Sequence, residues 1–369
     1  MNHLALIPGD GIGKDVTDAG MQVLEAVSEI SSFRYDAELF DIGSERYLES
    51  GTLLEAGEIE ALKSKDAIYF GAIGDPRVKP GVLEQGVLLR LRSALDQYIN
   101  FRPVTSIHPY VPLKREVDFD IHFLRENTED FYMGMGGRVS SGGDLELSAS
   151  RRMYELKISL HLDASAEEDF AVELGLLSRK GVERFAEYSF RHAESLGQDR
   201  VTLVDKANVC TGIYGFQREI FKQKAKEHDM DMDFMFVDAM AMAMITRPER
   251  YGTVAVPNLF GDILTDLGAQ LQGGLGLGAS GNINPEGVSM FEPIHGSAPD
   301  IAGKGIANPI AAIMALKMML DNLGYTEEGE IVRKAVSGCL ANGKVTPDLG
   351  GKLNTWQVAD DIAARVLKG

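Results

Sequence analysis

The chain has 369 residues, 44% hydrophobic and 25% charged, and a formal net charge of −18. That length exceeds what one hydrophobic core serves, so two subdomains are expected, and the composition excludes a disordered chain. The acidic balance argues against nucleic acid or an anionic membrane surface as partner, so an anionic substrate has to be met by local arginine and lysine clusters.

In chain order, the first strand is read in "LALIP", followed by the turn "PGDGIGK" and a helix at about 14–30. The glycines echo part of a dinucleotide fingerprint, but the G-x-G-x-x-G spacing is absent and a Rossmann domain does not follow. No basic segment precedes a long apolar one at the start, which predicts no signal peptide. Cys210 and Cys339 are the only cysteines. A reducing, cytoplasmic setting is therefore expected. A strand at "DAIYFG" and a helix at about 84–99 come next, ending at "YINFRP", where the proline marks a domain crossing. The strand "DIHFLRE" follows. Between about 133 and 170 the alternation breaks, and glycines with the period-2 run "ELKISLHLD" predict a protruding hairpin or arm used between subunits.

Beyond the arm, helices at 180–196, 213–228 and 261–272 alternate with strands in "RVTLVDKAN", "FMFVDA" and "GTVAVPN". The glycine-rich "LQGGLGLGASGN" is a second crossing, and helices at 308–323, 326–341 and 355–368 close the chain. This order predicts an α/β fold with a largely parallel sheet and a site at the carboxyl ends of its strands. The crossings predict a discontinuous first domain, 1–98 with 274–369, around a second domain, 99–273. Every apolar run is too short or too broken by charge to span a bilayer.

Three clusters carry chemistry. Asp262 and Asp266 lie four residues apart on one helix face, where like charges repel. An isolated D-x-x-x-D is ordinarily a solvated face, but this one opens a helix directly after a strand, and Asp238 follows another strand. Three hard oxygen ligands suit Mg²⁺ or Mn²⁺. Arg92, Arg102 and Arg125 form a second cluster; singly each reads as surface, together they supply forks for a dicarboxylate. Arg90, two residues before Arg92, points to another face. Lys206 in "VDKAN" is a strand-end lysine or a tuned base, and Tyr132 a packed aromatic or an acid. The loop "EPIHGSAPDIAGKGIANP" has the composition of a ligand loop, in which Asp300 would accept from a ribose hydroxyl and favour NAD over NADP. The Met-rich "DAMAMAMI" reads as core.

Taken together, "IPGDGIG", "LLRLRSALDQYINFRP", "RENTEDFY", "VDKAN", "VDAMAM", "NLFGDILTDL" and "FEPIHGSAPDIAGKGIANP" resemble the β-decarboxylating dehydrogenases of the isopropylmalate/isocitrate type, over nearly the whole chain. The resemblance implies that family's own two-domain α/β fold rather than a Rossmann domain, with an arm that builds a homodimer. It implies that Arg92, Arg102 and Arg125 hold substrate carboxylates. Asp262 and Asp266, with Asp238 from the partner subunit, would hold Mg²⁺ or Mn²⁺. Lys206, also from the partner, and Tyr132 would handle protons. Ile12, Glu292, His295, Gly296, Ser297, Ala298, Asp300, Asn308 and Asp348 would bind NAD. The implied reaction is oxidation of a 3-substituted malate with loss of CO₂, in leucine biosynthesis. Gly86, Val87, Leu88 and Leu89 form an apolar wall that welcomes an isopropyl group and leaves a further carboxylate unpaired. Isocitrate, homoisocitrate and a silent regulatory subunit are the alternatives. Lys14, Gln85, Arg90 and the long stretch 142–170 depart from the family pattern.

Overall fold

The computed structural model describes residues 1–165 and 168–369. The chain opens with β1 (Asn2–Gly9), α1 (Ile12–Ile30), β2 (Tyr35–Leu39), α2 (Ser44–Ser50), α3 (Ala56–Lys63) and β3 (Ala67–Ala72). A π-helical stretch over Glu84–Leu89 runs into the short α4 (Arg90–Ala94). Then come β4 (Ile99–Thr105), β5 (Asp120–Glu126), and four arm strands, β6 (Gly136–Ser140), β7 (Gly143–Arg151), β8 (Tyr154–Leu162) and β9 (Asp169–Glu173). The middle section comprises α5 (Arg179–Ser195), β10 (Arg200–Asp205), α6 (Thr211–Glu227), β11 (Asp231–Phe236), α7 (Val237–Thr246), β12 (Thr253–Val256) and α8 (Asn258–Gln272). β13 (Ala279–Ile283), β14 (Ser289–Pro293), α9 (Ile310–Asn322), α10 (Thr326–Ala341) and α11 (Thr355–Val366) complete it.

Ten strands form one sheet in the order β11-β10-β12-β5-β4-β13-β14-β3-β1-β2. The ladders outside the centre are parallel, as the alternation of strand and helix predicts. The centre is not: β4 runs antiparallel to both β5 and β13, and β13 antiparallel to β14. "YINFRP" is therefore the start of a central strand, and the helix expected to reach residue 99 ends at Ala94. Polar Asn100 and Arg102 alternate with Phe101 and Pro103 along β4, a period-2 pattern with functional groups on one face.

Helices cover both faces. α1, α9, α10 and α11 pack with α5 and α6 over one side, through Val23, Phe185, Phe221, Leu316 and Ile362. On the other, Ile7, Phe70, Val87 and Leu91 form one apolar cluster, and Phe123, Met240, Met244 and Leu264 another. The Met-rich segment is core only in part, since Met240 and Met244 are buried while Met242 is 64% exposed. In the arm, β7 pairs with β8 and β6 with β9, both antiparallel, over a small cluster of Met133, Met135 and Leu147.

Candidate active site

The carboxyl ends of β5 and β12, with the residues that follow them, build the site. Arg125 is the penultimate residue of β5, and α8 begins at Asn258, directly after β12 and Pro257. Gly261 lets the two meet: a Cβ there would stand 2.6 Å from Arg125 Cγ. Asp130, buried and at φ +65°, accepts from Leu259 N at 3.0 Å and so caps α8. That loop also delivers Tyr132.

All three arginines of the sequence trio are buried and converge. Arg125 forms a close ion pair with Asp262, donates from Nε to Asn258 at 2.9 Å, and lies over the Tyr132 ring at 5.0 Å. Arg102 donates to Asn100 at 2.7 Å and to Thr265 at 2.8 Å, with Asp262 and Asp266 at 3.7 and 3.5 Å. Arg92 reaches Glu292 at 3.3 Å. Arg90 turns away, as its spacing predicts, to the Leu54 carbonyl at 2.6 Å. Asn100, Asn258, Thr265 and Asn282 hold this cluster, Asn282 through Glu292 at 2.7 Å. Neutral and single, they carry no motif; only their places in alternating strands and at a helix start distinguish them.

Charges set the protonation states. Burial alone would push the Asp262 carboxyl up, but Arg125, Arg102, the Tyr132 hydroxyl and Arg92 hold it below the usual carboxylate range. Asp266 is pushed up, by burial first and by the neighbouring Asp262 charge, against the pull of Arg102. The repulsion implied by the i, i+4 spacing is thus visible at its more exposed member. Tyr132 donates to Asp262 Oδ2 at 2.8 Å, and burial together with that carboxylate raises its pKa, so it keeps its proton. Behind the site, buried Glu126 accepts from Thr128 N, Thr128 Oγ1 and Glu129 N, at 2.8–2.9 Å. Burial, then the Glu129 charge, push it up to about 7.

Among the described residues, two buried guanidinium donors, Arg92 Nε and Arg125 Nη2, have no partner. Orphaned charged donors are costly, and carboxylate oxygens of a bound anion would satisfy them. Three arginines face three carboxylates, Asp262, Asp266 and Glu292, so the cluster is near neutral by itself. A dianion and a divalent cation entering together would keep it so. Asp262, ionised and part-exposed, and Asp266 beside it fit a hard cation as oxygen donors.

Lys206 and Asp238 stand elsewhere. Lys206 Nζ donates to Asp238 at 2.6 Å, and that bond chiefly holds the exposed Asp238 carboxyl low. Neither makes a hydrogen bond or ion pair with the arginine cluster, and among the described residues no three His, Cys, Asp or Glu gather to hold a metal.

The loop after β14 packs on the turn after β1. Ser297 O accepts from Ile12 N at 2.7 Å, and a Cβ on Gly11 (φ +56°) would stand 2.0 Å from that oxygen. His295 Nδ1 lies 3.0 Å from Gly296 O, its Nε2 is shielded and unpartnered, and burial lowers its pKa. Asn308 donates to Asp348 at 3.0 Å. Ala298 has φ +36°, and Asp300 is exposed. Glu292, at the start of this loop, is bonded to Arg92 and Asn282 within the arginine cluster. Leu88 lies on the π-helical stretch, packed against the cluster around Val87 and Leu91.

A profile of the isocitrate/isopropylmalate dehydrogenase family matches residues 3–362. The chain belongs to that family. It is 40% identical to a 3-isopropylmalate dehydrogenase of Streptomyces coelicolor, over 99% of this chain and 98% of the relative. To one of Bifidobacterium longum it is 40% identical, over 98% of each. Among solved structures, an isocitrate dehydrogenase from Methylococcus capsulatus superposes with a TM-score of 0.85 at 34% identity, over 100% of both chains. A β-decarboxylating dehydrogenase from Thermococcus kodakarensis gives 0.77 at 34% identity, over 100% of this chain and 97% of that one. As members of this family, the arginine trio, the α8 aspartates and Tyr132 sit in one crevice, although Arg92 and Asp262 are 170 positions apart in sequence. Among the described residues no helix is long and apolar enough to cross a membrane.

Proposed function

We propose that the chain catalyses the NAD-dependent, divalent-metal-dependent oxidative decarboxylation of 3-isopropylmalate to 4-methyl-2-oxopentanoate, CO₂ and NADH, in leucine biosynthesis. The single observation that carries this reading is the convergence of Arg102 and Arg125 on Asp262 beside the Arg92–Glu292 pair, with Arg92 Nε and Arg125 Nη2 left without partners among the described residues. Those donors suit a dicarboxylate. The curated relatives supply the substrate, and Leu88 and Leu89, part-exposed beside the buried Val87, offer its isopropyl group an apolar wall.

Asp262 and Asp266 would hold Mg²⁺ or Mn²⁺, with Asp238 joining from a second subunit, and the loop of His295, Gly296, Ser297, Ala298, Asp300, Asn308 and Asp348, with Ile12, would hold NAD. When bound, the cation supplies Lewis acidity at the substrate's C2 oxygen and NAD supplies the hydride acceptor. Arg92, Arg102 and Arg125 fix the carboxylates so that the C2 hydrogen is oriented. Lys206, from the second subunit, takes the C2 hydroxyl proton. Tyr132, which keeps its proton beside Asp262, delivers one to the carbon that CO₂ leaves. Exposed apolar side chains near this machinery, Met242 and Ile245 on α7 and Ile263 on α8, support a homodimer that buries them and brings Lys206 and Asp238 to the partner's crevice.

A spectrophotometric panel tests the reading. NADH should form with 3-isopropylmalate and Mg²⁺ or Mn²⁺, with little activity on isocitrate and little with NADP. Preference for isocitrate would overturn the substrate, and silence with every malate would favour a regulatory subunit.

A further inference from the structure

Strands β4 and β5 have a second working face. Arg102 and Arg125 point to the crevice, while Phe101 and His122, the alternating neighbours, line a separate cavity of about 1110 Å³ between the sheet, α5, α9 and α10. No residue of the catalytic cluster lines it. One wall is a set of flat rings. Phe101 lies 5.2 Å from His122 and 5.0 Å from His192, and Tyr188 stacks on His192 at 6.2 Å and 15°. The facing wall carries Met314 and Met318 of α9 beside charged side chains of α9 and α10.

The cations around this cavity are paired within the protein: Lys317 bonds Asp321 at 2.5 Å and Arg333 bonds Glu330 at 2.6 Å, while Asp120 lies 3.3 Å from His122 Nε2. An anionic ligand would therefore find no free counter-charge and would leave its own charge unpaired. With His122 neutral and its Nε2–H directed to Asp120, its Nδ1 accepts from His192 Nε2 across 2.8 Å. His192, held neutral by burial, then has a bare Nδ1 with no protein partner among the described residues.

We propose that this cavity is a binding site for a planar aromatic molecule without negative charge, carrying one hydrogen-bond donor. The rings and methionines take its faces, and His192 Nδ1 accepts its N–H or O–H. The volume is of ligand size, and a tight all-apolar filling is prevented by the imidazole pair.

Indole is the probe, titrated into the full-length protein by calorimetry and by saturation-transfer NMR, beside 1-methylindole, which keeps the ring and loses the donor. Saturable binding of indole is expected, with 1-methylindole weaker by about 2- to 12-fold, the worth of one hydrogen bond. His192→Phe, which keeps a ring and removes the acceptor, should abolish that difference. Met314→Trp, which fills the cavity from α9, should abolish binding while circular dichroism and gel filtration stay unchanged. Absence of saturable indole binding to the wild type, equal affinity for the two indoles, or undiminished binding by a folded Met314→Trp would each overturn the proposal. None of these readouts depends on the reaction proposed above.

Discussion

Tyr132 Oη donates to the same Asp262 carboxylate that pairs with Arg125, so one acidic side chain holds a phenol and a guanidinium together at the mouth of the crevice. This sharing makes the hydroxyl a proton donor in waiting and keeps the carboxylate ionised.

Removing the charge at the shared position should stop catalysis and leave the fold. Asp262→Asn is expected to lower turnover by about 100-fold or more, because a cation ligand and the anchor of Arg125 go together. Arg125 and Arg102 are buried and lose a counter-charge, so the melting temperature should fall as well, while the far-UV circular dichroism at 25 °C stays that of the parent. Steady-state kinetics beside thermal unfolding check this. Unchanged turnover would remove the metal assignment.

Deleting only the phenolic oxygen isolates its role. In Tyr132→Phe, kcat should drop about 100-fold, the ordinary worth of a positioned acid, while KM moves by less than about threefold, since the three arginines still hold the substrate. A KM effect alone would make Tyr132 a binding residue.

Substrate choice should respond to the apolar wall. Leu88→Ser is expected to lower kcat/KM for 3-isopropylmalate by about tenfold, in keeping with one lost apolar contact in a pocket. If the variant handles 3-isopropylmalate as well as the parent does, Leu88 does not face the substituent.

Glu126 predicts a pH dependence of stability. Its folded pKa is raised from the usual carboxylate value to about 7, by burial first and by Glu129 second. Between those values the folded protein keeps a proton that the unfolded chain has released, so stability falls as pH rises from about 4.5 to about 7 and levels off above. Glu126→Gln should flatten that decline, measured as urea midpoints from pH 5 to pH 8. A variant whose slope matches the parent's would show that Glu126 does not titrate in this window.

Much of the crevice was legible because its chemistry is charged. Arginine, aspartate and lysine announce themselves after strands, and the α8 pair was readable from its spacing together with its place directly after a strand. What holds them was not. Asn100, Asn258, Thr265 and Asn282 are neutral, and partners such as Asn100 and Asn282 lie 182 positions apart. The centre of the sheet was hidden for a related reason. β13 is "ASGNI", small and polar, with none of the β-branched density that marks β10 or β12, and it is a strand because β4 and β14 supply its ladder from either side. α8 starts three residues ahead of its expected position because Pro257 suits the boundary and Asp130 caps it from another segment. The arm's period-2 run, by contrast, pairs locally and was readable as β8.

An open ten-stranded sheet has two free borders, here β2 and β11, each a row of unpaired amides able to recruit a foreign strand. Carboxylates stand along both, Asp36 and Glu38 on one and Asp231 and Asp233 on the other. Two such rims brought together would repel, so runaway fibre-like stacking is discouraged.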